Sequence, residues 1–146
     1  MKKVSILIPA YNEEESLPFL YEELTKEIKT LSGYDWELLF VNDGSKDNTL
    51  RVIKEFRSKD GKVSYVDLSR NFGKERAMMA GFDYATGDCV IIMDADMQDP
   101  PHVIAQMLRY WEEGYDDVYA RREFRGKEPL WRRKLSLAYY KFLQVS

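Results

Sequence analysis

Asp94 and Asp96 stand two residues apart, directly behind the apolar run Val90-Ile91-Ile92-Met93 and just ahead of Gln98, Asp99 and the pair Pro100-Pro101. An extended chain turns alternate side chains the same way, so the two carboxylates share a face. Like charges this close repel unless a cation or a shared proton compensates. With oxygen donors and no Cys or His among them, the pair suits Mg2+ or Mn2+ rather than zinc. A solvated acidic loop that caps the next helix is the plainer alternative, and residues elsewhere in the chain decide between the two.

The elements that must position these carboxylates can be read from the spacing of apolar residues. A continuous Val/Ile run between turn residues is a strand buried on both faces. Its carboxyl end, where Asp94 and Asp96 fall, is the end at which open α/β sheets bind ligands. Four further runs read as strands: Val4 to Ile8, Trp36 to Val41, Val63 to Leu68 and Asp117 to Ala120. The third of these is shorter and more polar, hence nearer an edge. A first helix starts at Ser16 as N-cap, carries Leu17, Leu20, Leu24 and Ile28, and runs to about Thr30, with Gly33 ending it. Asp47 or Asn48 can cap a second, with Leu50, Ile53 and Phe56. A third spans Glu75 to Tyr84, with small residues at Ala77, Ala80 and Gly81 for close packing. Pro100 and Pro101 open a fourth, with Val103, Ile104, Met107, Leu108 and Trp111 inward and Gly114 closing it. Leu130 to Leu143 reads as an amphipathic helix with Trp131, Leu135, Ala138 and Phe142 on one stripe. Strands that alternate with helices, without hairpin signals, predict an α/β fold: a doubly wound, mostly parallel sheet with helices on both faces.

Composition bounds the class. A chain of 146 residues, 45% hydrophobic and 32% charged, is one soluble globular domain. The single Cys89 excludes an internal disulfide and fits a reducing compartment. Pro9, Asn12 and Glu13 cut short any signal-peptide core, and no run approaches the roughly 20 apolar residues of a membrane span. The net charge of −3 hides an asymmetry. Residues 1–120 carry 14 Lys and Arg against 23 Asp and Glu, a balance of −9, while residues 121–146 carry 8 against 2, a balance of +6. An acidic body suits a cation site; a basic tail suits a phosphate or an anionic membrane surface. No nucleic-acid partner is expected.

Ligand-type residues follow successive strands: Pro9-Ala10-Tyr11-Asn12-Glu13, then Asn42-Asp43-Gly44-Ser45, then Asp94-Ala95-Asp96. In a parallel sheet these ends converge on one crevice. Tyr11 offers a ring face to a base, and Glu13 and Asp43 can accept from base N–H groups or ribose hydroxyls. A turn explains Asn42-Asp43-Gly44-Ser45 equally well. Arg70 and Lys74 flank a glycine loop at a helix start, a setting that holds phosphate as readily as it displays ordinary surface charge. Arg121, Arg122 and Arg125 follow the fifth strand and are either a second anion site or a solvated charge run. His102 and Cys89 read as structural, and with one His and no G-x-S-x-G a hydrolytic triad is a poor fit. Neither dinucleotide nor Walker-type glycine motifs are present.

Four blocks, Ile8-Pro9-Ala10-Tyr11-Asn12-Glu13-Glu14, Val41-Asn42-Asp43-Gly44-Ser45, Ser69-Arg70-Asn71-Phe72-Gly73-Lys74-Glu75 and Met93-Asp94-Ala95-Asp96-Met97-Gln98-Asp99-Pro100-Pro101, resemble the family 2 glycosyltransferases of GT-A fold. More narrowly, the chain resembles the polyprenyl-phosphate branch, which includes dolichyl-phosphate mannosyltransferase and bactoprenol glucosyltransferases. The resemblance implies an inverting, metal-dependent transfer of a hexose (glucose, N-acetylglucosamine or mannose) from a nucleotide-sugar, UDP-linked rather than GDP-linked, to undecaprenyl or dolichyl phosphate. By matching position, Pro9, Tyr11, Glu13, Asp43, Lys74, Asp94, Ala95 and Asp96 would hold the nucleotide-sugar. Asp94, Asp96 and Gln98 would hold Mg2+ or Mn2+, Asp94 and Asp96 serving catalysis with Arg121, and Arg121 and Arg133 would meet the acceptor phosphate. Asn42 stands where many relatives have a first Asp. The resemblance further implies a longer enzyme working at the cytoplasmic face of a membrane, with residues 1–146 as its donor-binding core and the acceptor-side and membrane segments outside this chain. Transfer to a saccharide acceptor in cell-wall or polysaccharide synthesis, or a silent nucleotide-sugar-binding module, are the alternatives.

Overall fold

A computed structural model of the chain describes residues 1–96, 100–115, 119–121 and 139–144. The elements follow in the order β1 (Lys2–Ala10), α1 (Leu17–Lys29), β2 (Tyr34–Asn42), α2 (Thr49–Lys59), β3 (Val63–Asp67), α3 (Lys74–Tyr84), β4 (Cys89–Ile92), α4 (Val103–Glu112), β5 (Tyr119–Arg121) and β6 (Tyr139–Gln144). The sheet order is β3-β2-β1-β4-β6-β5, with β3, β2, β1 and β4 parallel to their neighbours. The more polar strand β3 lies at the edge, as its composition predicts.

Strand β1 is central, and its residues from Val4 to Ala10 are all buried. Their alternation splits the core in two. Val4, Ile6, Ile8 and Ala10 face a large cluster built with Leu17, Leu20, Leu24 and Ile28 of α1, Ile53 of α2, and Ile104, Met107 and Leu108 of α4. Leu7, with Leu39, Val41 and Val90, faces a smaller cluster completed by Ala77 of α3. Helices cover both faces, three against one. Gly81 is what lets α3 lie close: a Cβ there would come within 2.2 Å of the Leu7 Cδ1.

Register brings the carboxyl ends of the strands level. Ala10 pairs with Asn42 and Asn42 with Asp67, while Leu7 pairs with Ile92. Hydrogen bonds continue past the strand ends: the Asp43 N–H donates to the Ala10 carbonyl at 2.9 Å and the Met93 N–H to the Leu7 carbonyl at 2.9 Å. Asp43 and Asp94 are therefore fixed just beyond one common rim.

Two expectations need correction. Leu130 to Leu143 does not run through as a helix: Tyr139–Gln144 is a strand, antiparallel to both β4 and β5. The remainder of that expected helix, including Trp131, Leu135 and Ala138, lies outside the described residues. The apolar strand β4 has β1 on one edge only and needs a partner on the other. Aromatic-rich Tyr-Tyr-Lys-Phe-Leu-Gln is suited to supply it. Pairing within the sheet thus overrides the helical periodicity. Ser16, expected to cap α1, makes no capping bond; its hydroxyl donates instead to the Glu13 Oε2 at 2.6 Å. At α2 the N-cap residue, Asn48, likewise makes no side-chain capping bond; Asp47, one residue before it, instead accepts at Oδ1 from the Thr49 N–H at 2.9 Å. Burial alone would raise the Asp47 pKa, but hydrogen bonds from the Thr49 hydroxyl and N–H and the Glu14 N–H hold it below the usual carboxylate value.

Candidate functional site

A cleft of about 280 Å³ opens at the carboxyl rim of the sheet, lined by residues from four loops and the start of a helix. Pro9, Ala10, Tyr11 and Glu13 come from the end of β1 and the turn after it, and Asp43 from the turn after β2. Asn71, Gly73 and Lys74 come from the β3–α3 connection, and Asp94, Ala95 and Asp96 from the segment after β4. Each loop follows a parallel strand, so the sheet alone makes them neighbours.

The first two loops are laced together. Asn12 adopts a left-handed φ of 52°; its N–H donates to Ser45 Oγ at 2.9 Å, and its Oδ1 accepts from the Lys46 N–H at 2.8 Å. The Glu13 N–H donates to Thr49 Oγ1 at 2.8 Å and the Glu14 N–H to Asp47 Oδ2 at 3.3 Å. Tyr11 is left 41% exposed, its ring available to a flat ligand. The Glu13 carboxylate lines the cleft while one of its oxygens accepts from Ser16.

Asp43 joins the second loop to the third. It is only 3% exposed, and its carboxylate accepts from the Phe72 N–H at 2.8 Å, the Gly73 N–H at 3.1 Å and the Asn71 amide at 3.3 Å. The Asn71 amide also donates to the Asp43 carbonyl at 3.1 Å. A buried carboxylate needs such donors. Gly44, with φ of +65°, permits the approach: a Cβ there would stand 2.2 Å from both the Arg70 carbonyl carbon and the Asn71 nitrogen. So Asp43 spends most of its accepting capacity inside the protein, which sequence reading, treating it as a ligand contact or a turn residue, did not reveal.

In the same cleft the Lys74 ammonium forms an ion pair with Asp94 Oδ1. The Lys74 side chain is 58% exposed and that of Asp94 26%. Asp96 is exposed and lines the same cleft. Among the described residues no group of three or more His, Cys, Asp and Glu is placed to hold a metal ion.

The structure brings Pro9, Tyr11, Glu13, Asp43, Lys74, Asp94, Ala95 and Asp96 to one cleft. Arg70 does not join them; its guanidinium stacks on the Phe72 ring, 4.3 Å from the centroid. Arg121 ends β5, at the opposite edge of the sheet from β3. Gln98 and Arg133, like Arg122 and Arg125, lie outside the described residues. Sequence reading missed Ala10, Asn71 and Gly73 as lining residues. The signal for the last two was the Arg70-Asn71-Phe72-Gly73-Lys74 block, where attention to cations passed over the amide and the glycine between them. Cys89 is buried in the core, and burial pushes its thiol pKa up to about 12, which removes it as a nucleophile.

The sequence profile of Glycosyl transferase family 2 matches residues 5–145. The bactoprenol glucosyl transferase of Shigella phage SfX is 41% identical over 139 residues, covering 95% of this chain and 45% of that protein. Among solved structures, S. aureus TarS 1-349 in complex with UDP-GlcNAc superposes with a TM-score of 0.71 at 22% identity, over 97% of this chain and 45% of that one. Glucosyl-3-phosphoglycerate synthase from Mycobacterium tuberculosis, in complex with Mn2+, UDP and glucosyl-3-phosphoglycerate, superposes with a TM-score of 0.64 at 20% identity, over 86% of this chain and 45% of that one. The structural likeness establishes a shared fold. The chain spans 42% to 45% of the length of the curated relatives it matches. No helix among the described residues is long and apolar enough to cross a membrane.

Proposed function

The chain belongs to glycosyl transferase family 2, and from that premise we propose that it is the donor-binding core of an inverting glycosyltransferase. It moves a hexose from a UDP-sugar to the phosphate of a polyprenyl lipid. The observation that carries this is the single cleft in which an exposed aromatic ring, three carboxylate-bearing loops and a lysine meet at the carboxyl rim of the sheet. An aromatic face, hydroxyl acceptors and a cation in one cleft match a base, a ribose and a diphosphate.

Tyr11 and Pro9 border the base. Glu13 and the remaining lone pair of Asp43 accept from base or ribose. Lys74 offers its ammonium to the diphosphate. Asp94 and Asp96 fit a Mg2+ or Mn2+ ion: hard oxygen donors on one wall, with open cleft beside them for water and phosphate oxygens, which such ions retain as ligands. When bound, that ion would stabilise the negative charge of the departing diphosphate as a Lewis acid. A lipid monophosphate is already anionic near neutral pH, so the site needs no strong base. Its oxygen attacks the anomeric carbon in line as the bond to the diphosphate oxygen breaks, which inverts the centre and releases UDP. Arg121, with Arg133, is proposed to meet the acceptor phosphate, and the +6 balance of residues 121–146 supports an anionic acceptor or membrane surface as their partner.

Calorimetric titration of UDP and, separately, GDP into the chain, with Mn2+ and then with EDTA, tests the donor half. UDP binding that requires the metal and disappears in Asp96→Ala is the expected result. GDP binding in its place would replace the donor, and binding of neither by a folded chain would sink the reading. Sugar transfer to a short polyprenyl phosphate tests the acceptor; transfer to a glycan while the lipid phosphate is ignored would overturn that half alone.

A further inference from the structure

Asp94 already has a cation at its carboxylate, and the fold puts it there. Lys74 is the first residue of α3 and follows Gly73, whose φ is +99°. The N–H groups of Phe72 and Gly73 are tied to the buried Asp43 carboxylate. The backbone that carries Lys74 is thus anchored, while the long side chain is more than half exposed and free to reorient. Asp94 is the more enclosed partner. An ammonium is a compact charge with three donors on a flexible stem, able to change partners without moving the chain. An ion pair this exposed is weak, so exchange costs little.

We infer that Lys74 is a built-in counter-cation that exchanges with the divalent ion at Asp94. Without the ion, the ammonium offsets the repulsion between Asp94 and Asp96. When the ion arrives with the donor diphosphate, the ammonium leaves the carboxylate for the diphosphate oxygens. The second half of this exchange rests on the donor reading above; the first does not. The consequence is thermodynamic: the ion alone binds against the lysine, whereas the ion and the diphosphate together satisfy both cations, so each strengthens the other's binding.

The test has two arms. In the first, free Mn2+ is followed by its electron paramagnetic resonance signal as it is titrated with the chain, no nucleotide being present. Lys74→Met keeps a strong helix former at an exposed position, and it is expected to bind Mn2+ about two- to fivefold more tightly, the span a half-exposed ion pair commands. Lys74→Arg and Arg76→Met leave the Mn2+ affinity unchanged. The former keeps the charge at Asp94; the latter removes a charge from an exposed residue of the same helix that has no ion pair among the described residues. In the second arm, calorimetry of UDP in saturating Mn2+ shows Lys74→Met binding about tenfold more weakly, as expected for a lost charge-assisted hydrogen bond. The opposite signs of the two changes are the signature. An unchanged Mn2+ affinity in Lys74→Met, or an equal gain in Arg76→Met, overturns the exchange. If UDP with Mn2+ does not bind the wild-type chain, the donor reading falls and the transfer to diphosphate with it, while the first arm still decides the exchange at Asp94.

Discussion

One methyl group at residue 44 should loosen the whole cleft. In Gly44→Ala the new Cβ would meet the Arg70 carbonyl carbon and the Asn71 nitrogen at 2.2 Å, and the Arg70 Cα at 2.8 Å. Those are backbone atoms, and non-bonded carbons settle at about 3.5–4.0 Å. The β3–α3 loop must therefore retreat by more than about 1 Å. The Phe72 and Gly73 N–H groups sit 2.8 and 3.1 Å from the Asp43 carboxylate, so a retreat of that size breaks or badly stretches both bonds. The left-handed backbone at Gly44, φ +65°, adds about 1–2 kcal/mol for any residue with a Cβ. Overpacking adds about 1–3 kcal/mol. The sum, about 2–5 kcal/mol, is a large share of the roughly 5–15 kcal/mol that holds a domain folded. At this chain length it lowers Tm by roughly 5–15 °C. Urea denaturation measures it directly, with two glycines as internal standards. Gly33 has a positive φ of +98° but open space around it, so Gly33→Ala should cost only the conformational part, about 1–2 kcal/mol. Gly61 has neither constraint, and Gly61→Ala should stay within about 0.5 kcal/mol of wild type. A Gly44→Ala chain as stable as Gly61→Ala, with UDP affinity intact, would refute the idea that the second and third loops are locked together through Asp43.

The Tyr21 hydroxyl donates to Asp60 Oδ2 at 2.7 Å, and burial together with this bond pushes its pKa up from 10.0 to about 12. The folded state prefers the protonated ring, so this contribution is complete below pH 10 and is lost as pH rises toward 12. Stability measured across that window should fall more steeply for wild type than for Tyr21→Phe. At the other end of the scale, burial would raise the Asp60 pKa, but hydrogen bonds from the Lys62 N–H and the Tyr21 hydroxyl, with the Lys62 charge, hold it below 3.8. Its contribution is present above that value and disappears as pH falls through the lowered pKa, so Asp60→Asn should flatten the acid limb of the stability curve. Cys89, buried with its thiol pushed up to about 12, should resist a thiol-reactive disulfide reagent at pH 8 and react only at the rate of unfolding.

The local code of this chain determined a good deal without help. Apolar runs fixed β1, β2 and β4, because strands buried on both faces need continuous Val, Ile and Leu; the shorter, more polar β3 read as an edge strand, and helical spacing fixed α1 to α4 between them. The alternation of the two forced parallel crossovers, and parallel crossovers send every loop of one kind to one rim. That is why Tyr11, Glu13, Asp43 and Asp94, up to 83 positions apart in sequence, could be assigned to one cleft from their places after successive strands, while Lys74 was added to them by the family resemblance. Tertiary structure alone decided what those side chains hold before any ligand arrives. The Asp43 carboxylate is occupied by N–H groups from residues 72 and 73, an approach of two loops that Gly44 permits, and Lys74 is drawn to Asp94; both are contacts between loops distant in sequence, which no local pattern encodes. The strand at Tyr139–Gln144 was hidden for a related reason. Helical periodicity is written into the segment itself, whereas the open edge of β4 that recruits it to the sheet exists only after the first four strands have assembled.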